Sequence, residues 1–183
     1  PMGSISSANP LRGSKGMFYE GGIREPLFIR WPGHIEPGSR CEVAVHQTDL
    51  YPTLAKAASA TPPKLLDGID ISPLWNGQSV KTRNLYWHFP AYLQDYQNNP
   101  GARSPHFRTT PCSTIMQGDW KLIEYFEDGG IELYNLKTDL SEKKNLAESH
   151  ADKAESLHAE LITWRKATKA PVPTEKNPKY QGR

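Results

Sequence analysis

The chain has 183 residues, enough for one domain or for a small domain with part of another, and 16 prolines beside 37% hydrophobic residues describe a loop-rich core. A net charge of +2, from 22 basic and 20 acidic residues interspersed along the whole length, excludes the clustered positive face of a nucleic-acid binder. No apolar run approaches the roughly 20 residues of a transmembrane helix, so no membrane span is read here.

The first four residues, Pro1-Met2-Gly3-Ser4, do not read as a natural start, and no signal peptide follows them. Residues 1–22 are rich in glycine and serine without helical or alternating pattern, and read as a long loop, functional or disordered. The run Pro26-Leu27-Phe28-Ile29-Arg30-Trp31, closed by Pro32-Gly33, predicts a strand buried on both faces, and a second short strand is expected over 41–45. A helix is expected from Thr48-Asp49, whose side chains suit an N-cap, with Pro52 tolerated in the first turn. Leu50, Leu54, Ala57 and Ala58 recur at helical spacing and are expected to face a core.

Punctuation by proline and glycine over 61–77 leads to a subdomain boundary between Gly77 and Arg83. Asn84–Phe89 then reads as a strand, and 90–111 as a polar loop without periodicity. Strands over 113–117, 121–126 and 131–136, turned at Gly118-Asp119 and Asp128-Gly129-Gly130, predict an antiparallel meander. In its middle strand Leu122, Glu124 and Phe126 share one face, and Ile123 and Tyr125 the other. A last helix is expected over 151–168, with Ser149 and Asp152 at capping-box spacing and an apolar stripe of Ala154, Leu157, Leu161 and Trp164. The tail after Pro171 reads as extended.

Chemistry concentrates in the N-terminal loop. Leu11-Arg12-Gly13-Ser14-Lys15-Gly16 and Tyr19-Glu20-Gly21-Gly22-Ile23-Arg24 place three cations and an acid in a glycine-rich backbone. Such a loop suits an oxyanion, phosphate or sulfate, and it equally suits a solvated surface. It lacks the glycine spacing and Lys-Ser/Thr pair of a phosphate-binding P-loop. Cys41 and Cys112 fit no metal-ligand spacing and read as one disulfide or two buried thiols. His46 and Asp49 sit where capping explains the acid; Asp67 and Asp70 fall short of a calcium cage; His150 and His158 have no acidic partner at ligand spacing.

The run from Pro10 through Lys15-Gly16, Tyr19-Glu20-Gly21-Gly22-Ile23-Arg24-Glu25-Pro26 and Trp31-Pro32-Gly33 resembles a signature of arylsulfatase-type sulfatases. The resemblance continues in Thr48–Leu54, Leu66-Asp67-Gly68, Gly118–Ile123, Glu132–Leu136 and Asp139–Ala147, in that order along nearly the whole chain. It implies an alkaline-phosphatase-like α/β fold, with residues 1–80 as the end of the large catalytic domain. Residues 81–170 are then a small antiparallel sheet with a C-terminal helix, and 171–183 an extended tail.

It also implies a sulfuric ester hydrolase in which the lysine matching Lys15 contacts the sulfate. The nucleophile of such enzymes is a formylglycine made within a Cys/Ser-x-Pro/Ala-x-Arg motif, and calcium is held by Asp-Asp and Asp-Asn pairs. Cys41, before Glu42-Val43-Ala44-Val45, and Cys112, before Ser113-Thr114-Ile115-Met116, do not match that motif. No Asp-Asn pair precedes Lys15. Formylglycine and calcium ligands are therefore expected upstream, none in this segment, which alone is expected to be inactive without the N-terminal portion of the same protein.

Arg12, His88, Arg103 and His106 are the candidate substrate contacts. His88 either lines the cleft or is a strand histidine satisfied by a neighbour. The loop with Tyr92, Tyr96, Arg103, His106 and Arg108 either lines an anionic-glycan pocket or is a variable surface. A sulfated small molecule or glycan is the expected partner, in a periplasmic or secreted setting. Two other functions stay open: a phosphodiesterase or phosphonate hydrolase of the same superfamily, and a non-catalytic module that binds sulfated glycans.

Overall fold

A computed structural model describes residues 7–95 and 101–175; Tyr96 and the tail beyond Glu175 lie outside the described residues. The chain divides into two compact units, one made of the residues up to Glu25 together with those from Asn84 on, the other of Pro26–Arg83.

The first unit is built on a four-stranded antiparallel sheet in the order β1-β4-β5-β6. Its strands are β1 (Leu85–Phe89), β4 (Cys112–Gln117), β5 (Trp120–Tyr125) and β6 (Ile131–Asn135). Between β1 and β4 the chain makes a second, two-stranded sheet from β2 (Leu93–Asp95) and β3 (Phe107–Thr109). The expected meander is thus present, and the loop over 90–111 contains a hairpin that its polar sequence conceals. Such short strands carry too few residues to show alternation.

Both faces of the large sheet are covered. Ile115, Leu122 and Leu133, aligned across three strands, pack with Ala154, Leu157 and Leu161 of helix α3 (Ala151–Thr168). Trp164 extends this stripe by stacking on Tyr86, with ring centroids 4.7 Å apart. The opposite face carries Cys112, Ile123, Tyr125 and Tyr134, and here the covering residues are Met17 and Tyr19 of the N-terminal loop. That loop therefore supplies one wall of the core. It ends in a single helical turn, α1 (Glu20–Ile23). The expected capping box of α3 is absent: its N-cap is His150 without a side-chain bond, and the Ser149 hydroxyl donates to the Leu146 carbonyl instead. Asn145 blocks the outer edge of β6, accepting from the Leu133 N–H at 2.9 Å and donating to the Ile131 carbonyl at 3.1 Å.

In the second unit, a 3₁₀ turn over Gln47–Asp49 runs into helix α2 (Leu50–Ala57), where the sequence places a helix. Asp49 organises it from a fully buried position. Its carboxylate accepts from the His46 N–H at 2.8 Å, from the Ile69 N–H at 3.0 Å and from Arg83. The buried face of α2 is Pro52 and Thr53, whereas Leu54 of the expected apolar stripe is 62% exposed. The strands expected over 26–31 and 41–45 do not form, and Phe28 is 92% exposed. Apolar content alone does not make a strand. Its backbone bonds need a neighbouring strand, and this unit has none among the described residues.

Candidate functional site

Lys15 sits at the outer bend of the N-terminal loop, exposed, and its ammonium meets no partner among the described residues. What surrounds it is fixed. Two and four residues on, Met17 and Tyr19 enter the core, and Glu20 after them is buried. Gly16 adopts φ +89°, and a Cβ there would strike the Leu93 side chain of β2, so only glycine lets the bend lie against the hairpin. The Lys15 carbonyl accepts from the Arg108 guanidinium of β3 at 3.2 Å. Gly21 donates its N–H to the Arg12 carbonyl at 2.8 Å, and a Cβ on it would stand 2.5 Å from that oxygen. The segment 12–17 is thereby folded back onto α1 with no space between backbones.

Two polar clusters fasten this loop to the sheet. In the first, the hydroxyls of Tyr19 and Tyr134 donate to Glu132 Oε2 at 2.7 and 3.0 Å. The Tyr125 hydroxyl is 2.9 Å from that of Tyr19. Burial and the Glu132 charge push all three phenols far above their ordinary range, so they remain hydrogen-bond donors at any working pH. Arg12 belongs to this cluster. It lies 3.8 Å above the Tyr19 ring and donates to the Tyr134 hydroxyl at 2.9 Å, to the Gly101 carbonyl at 3.0 Å and to the Glu142 carbonyl at 3.2 Å. Its guanidinium faces inward and holds the loop.

In the second, the Lys121 ammonium, wholly buried, stands 3.0 Å from Glu20 Oε1 and 2.8 Å from Glu142 Oε1. Glu142 Oε2 accepts the Glu20 backbone N–H at 2.6 Å. Arg24, 3.3 Å from Glu20 Oε2, brings the cluster to two cations and two carboxylates. Burial raises the Glu142 carboxyl above its ordinary range, against the pull of Lys121. Sequence reasoning missed this cluster, although a signal existed. Alternation puts Lys121 on the same strand face as Ile123 and Tyr125, and a lysine on a buried face demands a carboxylate partner.

The remaining candidates are dispersed. Arg103 lies 4.3 Å above the Tyr125 ring and donates to Asp128 at 2.5 Å, its side chain 29% exposed. With Phe18, Tyr19, Ser104, Arg108 and Tyr125 it lines a cavity of about 10 Å³, the room of one water. His106 is exposed, next to β3. His88 lies elsewhere. Register aligns it with Ser113 and Glu124, on the face covered by α3, so the sheet separates it from the Lys15 loop. Its Nδ1 is 2.7 Å from the Ser113 hydroxyl and its Nε2 is 2.8 Å from the Pro171 carbonyl. A carbonyl only accepts, so Nε2 carries a proton and donates to it. Both ring nitrogens of His88 therefore have partners within the protein. His158 does have an acidic partner: Glu124 of β5, 3.0 Å away, which also pairs with Arg165.

Both cysteines are free. Burial pushes the Cys112 thiol up to about 12, with Glu132 adding to the shift, so it is no nucleophile at neutral pH. Among the described residues no three histidine, cysteine or carboxylate side chains converge in a way that holds a metal ion. No helix among them is long and apolar enough to cross a membrane.

Comparison with known proteins bears on this arrangement. Residues 14–167 match the family model described as N-sulphoglucosamine sulphohydrolase, C-terminal. A sulfatase of Formosa agariphila is 36% identical over 177 residues, covering 90% of this chain and 31% of that protein. Human arylsulfatase A is 42% identical over 104 residues, covering 54% of this chain and 20% of that protein. The crystal structure of Ps i-CgsB in complex with k-i-k-neocarrahexaose superposes with a TM-score of 0.67 at 26% identity, over 85% of this chain and 32% of that one. The chain thus spans about a third or less of the relatives it matches.

Proposed function

The chain belongs to the sulfatase family, matching its C-terminal portion, and from that premise we propose that Lys15 contacts the sulfuryl oxygens of a sulfate ester in the whole protein. Cleaving such an ester builds negative charge on those oxygens and on the departing one. A cation held in place beforehand stabilises that charge without reorganising at the moment of reaction. The observation that carries this reading is the contrast at Lys15: an exposed ammonium with no partner among the described residues, on a backbone that buries Met17, Tyr19 and Glu20 just beyond it. The nucleophile, by resemblance a formylglycine, and the calcium are proposed to come from the rest of the protein, so that this chain alone is expected to be inactive.

The substrate we propose is a carbohydrate sulfate, supported by the likeness to a structure determined with an oligosaccharide. His106 and the partly exposed Arg103 stand as its contacts at the rim of the hairpin. Arg12 and His88 serve as supports, one inside the loop and the other between β1 and the chain at Pro171. The setting proposed is periplasmic or secreted.

Lys15→Ala in the full-length enzyme is expected to lower kcat by about a hundredfold or more, the usual scale for loss of one preorganised charge contact. Steady-state kinetics on an aryl sulfate and on sulfated oligosaccharides measures it. A near-normal rate places the sulfate elsewhere.

A further inference from the structure

We propose that Lys121, with Glu142, is a positioning residue for Lys15, acting through Glu20 and the turn it begins; the proposal rests on Lys15 being the sulfate contact. Nothing in the reaction needs a charge at this place. Lys121 and Glu142 are wholly buried, and neither approaches the Lys15 ammonium. Burying two carboxylates and an ammonium is costly. Well-packed apolar side chains commonly give equal or greater stability, so stability alone is a weak reason to keep ions here.

The contacts point to another use. The cluster joins three distant segments: α1 through Glu20, β5 through Lys121, and the loop after β6 through Glu142. Glu142 grips α1 by backbone as well as by charge, taking the Glu20 N–H at 2.6 Å, and it does so from a left-handed backbone at φ 51°, a costly conformation for a glutamate. From α1 the constraint passes directly to the lysine segment. Gly21 donates to the Arg12 carbonyl and lies against it too closely for any side chain, and Met17 donates its N–H to the Ser14 carbonyl at 3.0 Å, closing the bend around Lys15. An apolar pair could pack equally well yet let α1 slide or rotate. Ion pairs and a short N–H bond in a dry interior allow one arrangement. A shift of about 1 Å in a reacting contact is enough to cost on the order of a hundredfold in rate.

The test is a double-mutant cycle in the full-length enzyme. Lys121→Met with Glu142→Gln removes one charge of each sign and leaves Glu20 paired with Arg24. This variant is expected to keep its melting temperature within a few degrees while kcat falls roughly ten- to a hundredfold and KM changes little. In a Lys15→Ala background the same pair of changes is expected to cost almost nothing more, because the group they position is gone. An unchanged kcat in the folded variant, or a loss that multiplies in full onto that of Lys15→Ala, overturns the proposal.

Should that variant not fold, Glu20→Gln, which keeps shape and removes charge, enters the same cycle with the same criteria. Native-state hydrogen exchange on Glu20→Gln gives a readout apart from catalysis. The hydrogen-bonded amides of Met17 and Gly21, which close the loop, are expected to exchange at least tenfold faster while those of β4 and β5 keep their protection. Equal protection in the loop overturns the proposal even if Lys15 itself proves dispensable; a normal rate for Lys15→Ala, by contrast, overturns only the assignment of the sulfate contact and its consequence for kcat.

Discussion

Glu124 shows how one side chain on a covered sheet face can set the acid stability of the fold. Burial pushes its carboxyl up, but hydrogen bonds from Arg165 and His158 outweigh burial and hold it below the ordinary value of 4.5. A carboxyl lowered in the folded state contributes stability above its unfolded pKa and loses it as pH falls through the folded one. Stability should therefore hold at neutral pH and decline from about pH 4.5 downward. Glu124→Gln should be the less stable chain near neutrality, with the gap closing as pH falls. Urea midpoints of both chains across this range check the sign, and a gap that stays constant with pH denies Glu124 the role. Its place beside Leu122 was readable from alternation, whereas its partners were not, because they come from another element. The same limit hid Lys121, which meets Glu20 across 101 residues of sequence.

At the scale of elements, what the sequence revealed is what periodicity encodes. The meander shows its period of two and α3 its period of 3.6, and both form nearly where expected. Leu157, fully buried between β-sheet and helix, is the most demanding position of that stripe. Leu157→Ala should cost about 3 kcal/mol, and urea unfolding followed by circular dichroism would show it. A loss under about 1 kcal/mol would mean that α3 covers the sheet without anchoring to it. What periodicity does not encode stayed hidden. Residues 26–31 have the composition of a strand, but pairing belongs to a neighbour and not to composition. The N-terminal loop has no period at all. Its fixed course comes from glycines that admit close backbones and from charges paired far along the chain.

At the scale of the whole molecule, the exposed apolar side chains lie unevenly. Leu27, Phe28, Val43, Leu54 and Leu65 all belong to the unit of Pro26–Arg83, while the sheet unit buries its own core on both faces. If nucleophile and metal reside in the remainder of a longer sulfatase, the purified 183-residue chain should fold its sheet and yet show no turnover of an aryl sulfate. Product release above the uncatalysed rate, abolished by Lys15→Ala, would reverse that expectation. The motif singles out Lys15 as a candidate, but it does not tell that His88 lies on the other face of the sheet, which follows from the strand register and from the loop packing on the opposite side.

The loop that carries Lys15 also supplies Met17 and Tyr19 to the core under β4, β5 and β6. The two parts cannot be exchanged separately. A chimera of two relatives with its crossover inside Pro26–Arg83 would seat one parent's lysine loop on the other parent's sheet and draw the ion pairs beneath it from two different parents. Recombination, natural or engineered, has to treat residues 12–24 and 112–142 as one heritable block, although a separate unit interrupts them in the chain.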